Sequence, residues 1–165
     1  MKGCVTKGLI VFLFTALCIG ASYYLSTRKG PLPVIGPRQV NPLLVDESLR
    51  NTKDHLVSGF RLLDQEGAFT DSTFVSGRIH VADFFFTTCQ TICPIMSGKM
   101  GALQEEFAKE DRVRFLSFSV LPEQDSVPVL KSYAQAYGIP YSQWRLLTGQ
   151  RDNIYALARK SYFTL

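Results

Sequence analysis

A chain of 165 residues, 46% hydrophobic and 19% charged, has room for one compact domain and an appendage, and its composition excludes an intrinsically disordered protein. The net charge of +4 is mild and no basic block longer than an adjacent pair occurs, so a nucleic-acid partner has no electrostatic footprint.

From Gly8 to Leu25 run eighteen residues without a charge, preceded by Lys2 and Lys7 and followed by Arg28 and Lys29. As a helix this segment would be about 27 Å long, close to the hydrocarbon thickness of a bilayer. Tyr23 and Tyr24 fall where an interfacial aromatic belt would sit. The reading is a single N-terminal membrane anchor over residues 1–29, with a cleaved signal peptide as its rival. The apolar core is long for a signal, and Gly20-Ala21-Ser22 is a weak cleavage site. Either way the domain is exported. Residues 30–42 hold four prolines between Pro31 and Pro42 and read as a spacer stiffened toward polyproline II. The domain proper is assigned to residues 43–165.

Phe60–Asp64 (FRLLD) with Gln65-Glu66-Gly67 reads as a strand and a tight turn. Arg78–Phe86 (RIHVADFFF) is near-continuously apolar, as expected of a strand buried on both faces of a sheet. Pro94–Glu110 carries Ile95, Met96, Met100, Leu103 and Phe107 at helical spacing, with Pro94 in the first turn, where a missing N–H is harmless. Val113–Val120 is a second buried strand, Val127–Tyr137 a helix stopped by Gly138 and Pro140, Trp144–Leu147 a short strand and Asp152–Tyr162 a final helix. This alternation argues an α/β domain with parallel strands joined by crossovers. Such sheets place ligands where a strand's carboxyl end meets the next helix, and Cys89 and Cys93 stand there.

The four cysteines divide into two pairs. Cys4 and Cys18 lie in or beside the apolar N-terminal stretch, where a thiol behaves as a small hydrophobe. Cys89 and Cys93 are four residues apart, so both sulfurs point one way if the loop closes into a helical turn. The helix that follows favours thiolate over thiol, and thiolates are soft ligands that select copper(I) or zinc. A structural disulfide fits poorly, because it would close a very small loop. A thiol–disulfide oxidoreductase usually spaces its cysteines by two residues, and a metal site needs a third donor. Spacing alone leaves these two readings level.

The segment VADFFFTTCQTICPIM, with LTG at Leu147–Gly149 and PEQDSVPVLKSYAQAYG between them, resembles the Sco/SenC copper chaperones. The resemblance runs from about Leu43 to the last residue. It implies a membrane-tethered, thioredoxin-like α/β fold in a bacterial inner membrane, single pass, with the soluble domain facing the periplasm. It also implies copper as the bound ion and, as partner, the copper-binding subunit of cytochrome c oxidase or another copper carrier. By this resemblance Cys89 and Cys93 match the two thiolate ligands. The third ligand, a histidine on a later hairpin, is expected beyond Leu165, and these residues are expected to be part of a longer product whose C-terminal ββα portion is missing here. Leu121 stands where the family usually has an aspartate near the site.

Other side chains are assigned away from the metal. His80 sits six residues before Phe86, at the opposite end of the strand from the sulfurs, and reads as a satisfied buried or half-buried histidine. His55 is expected on the surface. Met96 and Met100 are expected in the core, with Met96 close to the metal as a lesser alternative. Asp83, an acid in a buried strand, needs a partner or a shifted pKa. Glu105, Glu106, Lys109, Glu110 and Asp111 read as a solvated face. The resulting expectation is a copper chaperone for oxidase assembly. An exported oxidoreductase reducing a copper-site disulfide and a redox or copper sensor are the alternatives.

Overall fold

The computed structural model of the chain describes residues 2–27, 33, 35–45, 47–52 and 55–164, side chains 2–11 and 27 excepted. Two compact units divide between Ile35 and Gly36. The first carries one helix, α1 (Lys2–Thr27), which takes in the expected anchor segment. Its side chains from Phe12 to Leu25 are exposed. Among the described residues, however, no helix is long and apolar enough to cross a membrane, and the side chains at Gly8–Val11 of the expected span lie outside them.

In the second unit the proline-rich stretch departs from polyproline II at Pro37–Gln39, a short 3-10 turn. There the Gln39 side-chain oxygen accepts the Gly36 N–H at 3.0 Å. Gly30, Pro31, Leu32 and Val34 of the spacer lie outside the described residues.

The domain runs β1 (Arg61–Asp64), β2 (Phe69–Asp71), β3 (Ile79–Phe85), α2 (Ile92–Glu106), β4 (Val113–Ser119), α3 (Val127–Ala136), β5 (Trp144–Thr148) and α4 (Arg151–Lys160). One sheet of order β2-β1-β5-β4-β3 holds these five strands. β3, β4 and β5 are parallel, as right-sized crossovers through α2 and α3 require, while β1 pairs antiparallel to both β5 and β2. β2 is three residues long, too short for its alternation to register in the sequence. The turn before it is held by Asp64, whose Oδ1 accepts the N–H groups of Glu66 and Ala68 at 2.9 and 3.0 Å. Gly67 at φ 79° supplies the left-handed residue this turn needs.

Alternation along the strands sorts two apolar layers. Phe85, Phe115, Trp144 and Leu146 pack with Cys93 and Met100 of α2 and Leu130 and Ala134 of α3. Leu116, Phe118 and Leu147 pack on the other face with Ile154 and Leu157 of α4. Gly149 lies where any Cβ would come within 2.7 Å of Leu62 Cδ2, which explains a glycine at the β5–α4 junction.

One expectation is corrected by the topology. β3, read as a strand buried on both faces, is an edge of the sheet; apart from Phe85 its residues are half-buried or exposed. An apolar run reports that a strand is covered, but not whether a neighbour pairs on each side.

Candidate metal centre

The candidate site grows from the carboxyl ends of β3 and β4. Val120 extends the β3–β4 ladder by donating its N–H to the Phe85 carbonyl at 2.8 Å. The chain then leaves the sheet at Phe86, and the Cys89 N–H returns to the Phe86 carbonyl at 3.2 Å, closing a tight turn. α2 begins at Ile92, two residues earlier than the proline suggested, so Cys93 lies inside its first turn. Helix starts leave N–H groups without intrahelical partners, and Thr91, the N-cap residue, makes no side-chain cap bond. Cys89 fills part of that role: its Sγ accepts the Cys93 N–H at 3.4 Å.

The two thiols differ in exposure and in acidity. Cys93 is buried, 3% exposed, and packs in the core, whereas Cys89 is half-exposed; both are free. Hydrogen bonding from the Cys93 thiol, then from the backbone at Thr91 and Cys93, brings the Cys89 pKa down from 9.0 to about 6. Burial, followed by the hydrogen bond to Cys89, pushes the Cys93 thiol up. At neutral pH the outer sulfur is therefore mainly thiolate and the inner one thiol. The arrangement offers one ready soft donor and nucleophile, with a second sulfur behind it.

Asp83 lies beneath the site on the β3 face turned toward α2. Its Oδ1 is buried without a hydrogen-bond partner. Burial raises its pKa from 3.8 to about 6, against the opposing hydrogen bond from Ser117. It floors an apolar groove of about 390 Å³ with Ile92, Ile95, Met96 and Leu103. Met96 is half-buried in that groove and Met100 is in the core.

Neither histidine joins the sulfurs. His80 Nε2 pairs with the Tyr162 hydroxyl at 3.0 Å, at the start of β3 as its position implied. His55, expected on the surface, is half-buried: its Nε2 lies 2.8 Å from the Ser161 carbonyl and its ring packs on Phe163. Among the described residues no three His, Cys, Asp or Glu side chains are grouped to hold a metal ion. Cys18 is an exposed free thiol in the other unit, and the Cys4 side chain lies outside the described residues.

Sequence reasoning missed Asp125. This residue is fully buried just before α3, yet its carboxylate accepts from Thr87, two residues ahead of Cys89. A lone aspartate ahead of a helix reads in sequence as an ordinary cap, and nothing local reveals a partner 38 positions away.

Strand, dithiol turn and helix on a mixed sheet covered by helices define a thioredoxin-like domain with a Cys-x-x-x-Cys centre. The chain belongs to the SCO1/SenC family, whose model matches residues 49–165. It is 35% identical over 118 residues to the SCO1 protein homolog of Bacillus subtilis, covering 70% of this chain and 61% of that one. The chain thus spans less than two thirds of that relative's length. Among solved structures it is similar to BsSco, described as a member of the Sco family of cytochrome c oxidase assembly proteins with a disulfide switch. That match has a TM-score of 0.62 at 35% identity and covers 70% of this chain and 68% of the other. Arabidopsis thaliana ScoI, solved with copper bound, matches at a TM-score of 0.54 and 25% identity, covering 64% and 65% of the two chains.

Proposed function

We propose that this protein binds copper(I) through Cys89 and Cys93 and passes it to the copper centre of cytochrome c oxidase during assembly. The observation that carries the reading is the pair itself: an accessible, acid-shifted Cys89 and a buried Cys93 in the first turn of α2. Soft thiolates suit copper(I), and the cargo would be exchanged sulfur by sulfur at the exposed edge of the pair. The copper-bound relative and the oxidase-assembly relative support the same reading. A third donor has to come from elsewhere than His55 and His80, both of which are engaged away from the sulfurs. We assign delivery to an exported domain held at a membrane by the uncharged Gly8–Leu25 segment.

A second reading, reduction of a copper-site disulfide on the partner, is favoured by the unequal acidity of the thiols. Cys89 thiolate would attack one sulfur of the partner's disulfide, giving a mixed disulfide and a partner thiolate. Cys93, on losing its proton, would then attack the Cys89 sulfur and displace the partner sulfur bound to it, leaving a Cys89–Cys93 disulfide and a partner dithiol.

The deciding experiment titrates the reduced chain with copper(I) against a chromogenic copper(I) chelator and, separately, follows its exchange with a model disulfide. One copper(I) per chain, lost in Cys89→Ser and in Cys93→Ser, supports the chaperone. Rapid disulfide reduction with no copper(I) retained against the chelator supports the reductase instead.

A further inference from the structure

The carboxylate of Asp125 has no cation beside it among its hydrogen-bond partners, yet it is fully buried. Its Oδ1 accepts the Thr87 hydroxyl at 2.5 Å, and both oxygens lie 3.3 Å from the Thr87 N–H. Its Oδ2 accepts the Ser119 hydroxyl at 2.5 Å. Ser119, the last residue of β4, in turn accepts the Leu121 N–H at 3.1 Å, while the Asp125 N–H reaches the Leu121 carbonyl at 2.9 Å. One side chain therefore ties together the loop leaving β3, the end of β4 and the turn entering α3. Burying a carboxylate is expensive unless hydrogen bonds satisfy it, and every donor used here belongs to the frame around the dithiol turn.

We propose that Asp125 is a positioning residue for the dithiol site: through Thr87 it fixes the path of residues 86–89, and so the place of Cys89 Sγ over the start of α2. The inference rests on the two-thiolate reading of Cys89 and Cys93 given above. Asp125 touches neither sulfur. It acts on a backbone that runs from Phe86 to Thr91 outside any strand or helix, where the Cys89 N–H to the Phe86 carbonyl is a bond within the loop itself. Without it the thiolates need to be ordered at the moment of metal capture, which weakens capture. Groups that orient metal ligands from behind typically alter metal affinity by about 10- to 100-fold.

The test compares Thr87→Val, Thr87→Ser and Asp125→Asn with the unaltered whole chain. Leu157→Ala, in the core on the opposite face of the sheet, serves as a control for lost stability. Copper(I) affinity is read against the chromogenic chelator, and amide hydrogen exchange over residues 86–93 is read on the copper-free protein. Thr87→Val and Asp125→Asn are expected to weaken copper(I) binding about 10-fold or more and to speed exchange in that segment. Thr87→Ser, which restores the hydroxyl, should stay within about twofold of the unaltered chain in both readouts, and Leu157→Ala should lose stability with its copper(I) affinity kept. Should Asp125→Asn fail to fold, Thr87→Val decides alone. Unchanged affinity in Thr87→Val, or an equal loss in Leu157→Ala, overturns the proposal. If the unaltered chain does not bind copper(I), the chaperone reading falls, and the exchange rates by themselves decide whether Asp125 fixes the loop.

Discussion

Cys89 owes its acidity to position. The Cys93 thiol donates to it from behind, and its place just ahead of α2 adds the N–H groups of the helix start. Alkylation by iodoacetamide should therefore have its pH midpoint near 6 and not near 9, as the lowered pKa requires. Replacing Cys93 by serine should change that midpoint, since the first contribution comes from its side chain. Asp83 behaves in the opposite sense. An acid whose pKa rises on folding, here from 3.8 to about 6, opposes folding wherever the unfolded chain ionises it more readily than the fold does. Its penalty is absent below about pH 4, grows as pH rises from there to about 6 and is constant above that. Asp83→Asn should thus stabilise the domain at pH 8 by about 3 kcal/mol and leave it nearly unchanged at pH 4, as read by urea unfolding at both values.

At the scale of elements, the β5–α4 junction and β3 carry the testable consequences. Gly149→Ala would bring a methyl group against Leu62, itself 5% exposed, so the contact has little room to relax. A loss of about 1–3 kcal/mol in urea unfolding is expected. The identity and order of β3, α2, β4, α3, β5 and α4 were legible in the sequence, the helices from their apolar spacing and the strands from short apolar runs between turn residues. Three features were not. β2 is too short to show alternation, Pro94 hid the true start of α2 two residues upstream, and the edge position of β3 depends on strands that are remote in sequence.

At the scale of the whole molecule, metal binding and membrane attachment can be separated. Copper(I) held only by the native site should stabilise the chain by about 4 kcal/mol at a free concentration of a thousand dissociation constants. Thermal unfolding of the unaltered chain and of Cys93→Ser, each with and without copper(I), checks this: only the former should shift. If Gly8–Leu25 anchors the chain, carbonate and high-salt washes should leave it in the membrane fraction and detergent should release it. A soluble form beginning near Tyr23 would instead mark a cleaved signal.

The sequence alone determined the order of the main elements, the Cys89–Cys93 pair at a strand-to-helix turn and the distance of His80 from it. All of these follow from local periodicity and spacing along one chain. Only the tertiary structure decided that His55 is engaged with Ser161 and Phe163, that β3 is an edge and that Asp125 reaches Thr87. Those relations join residues far apart in sequence, and a buried carboxylate shows its purpose only when folding brings its donors to it.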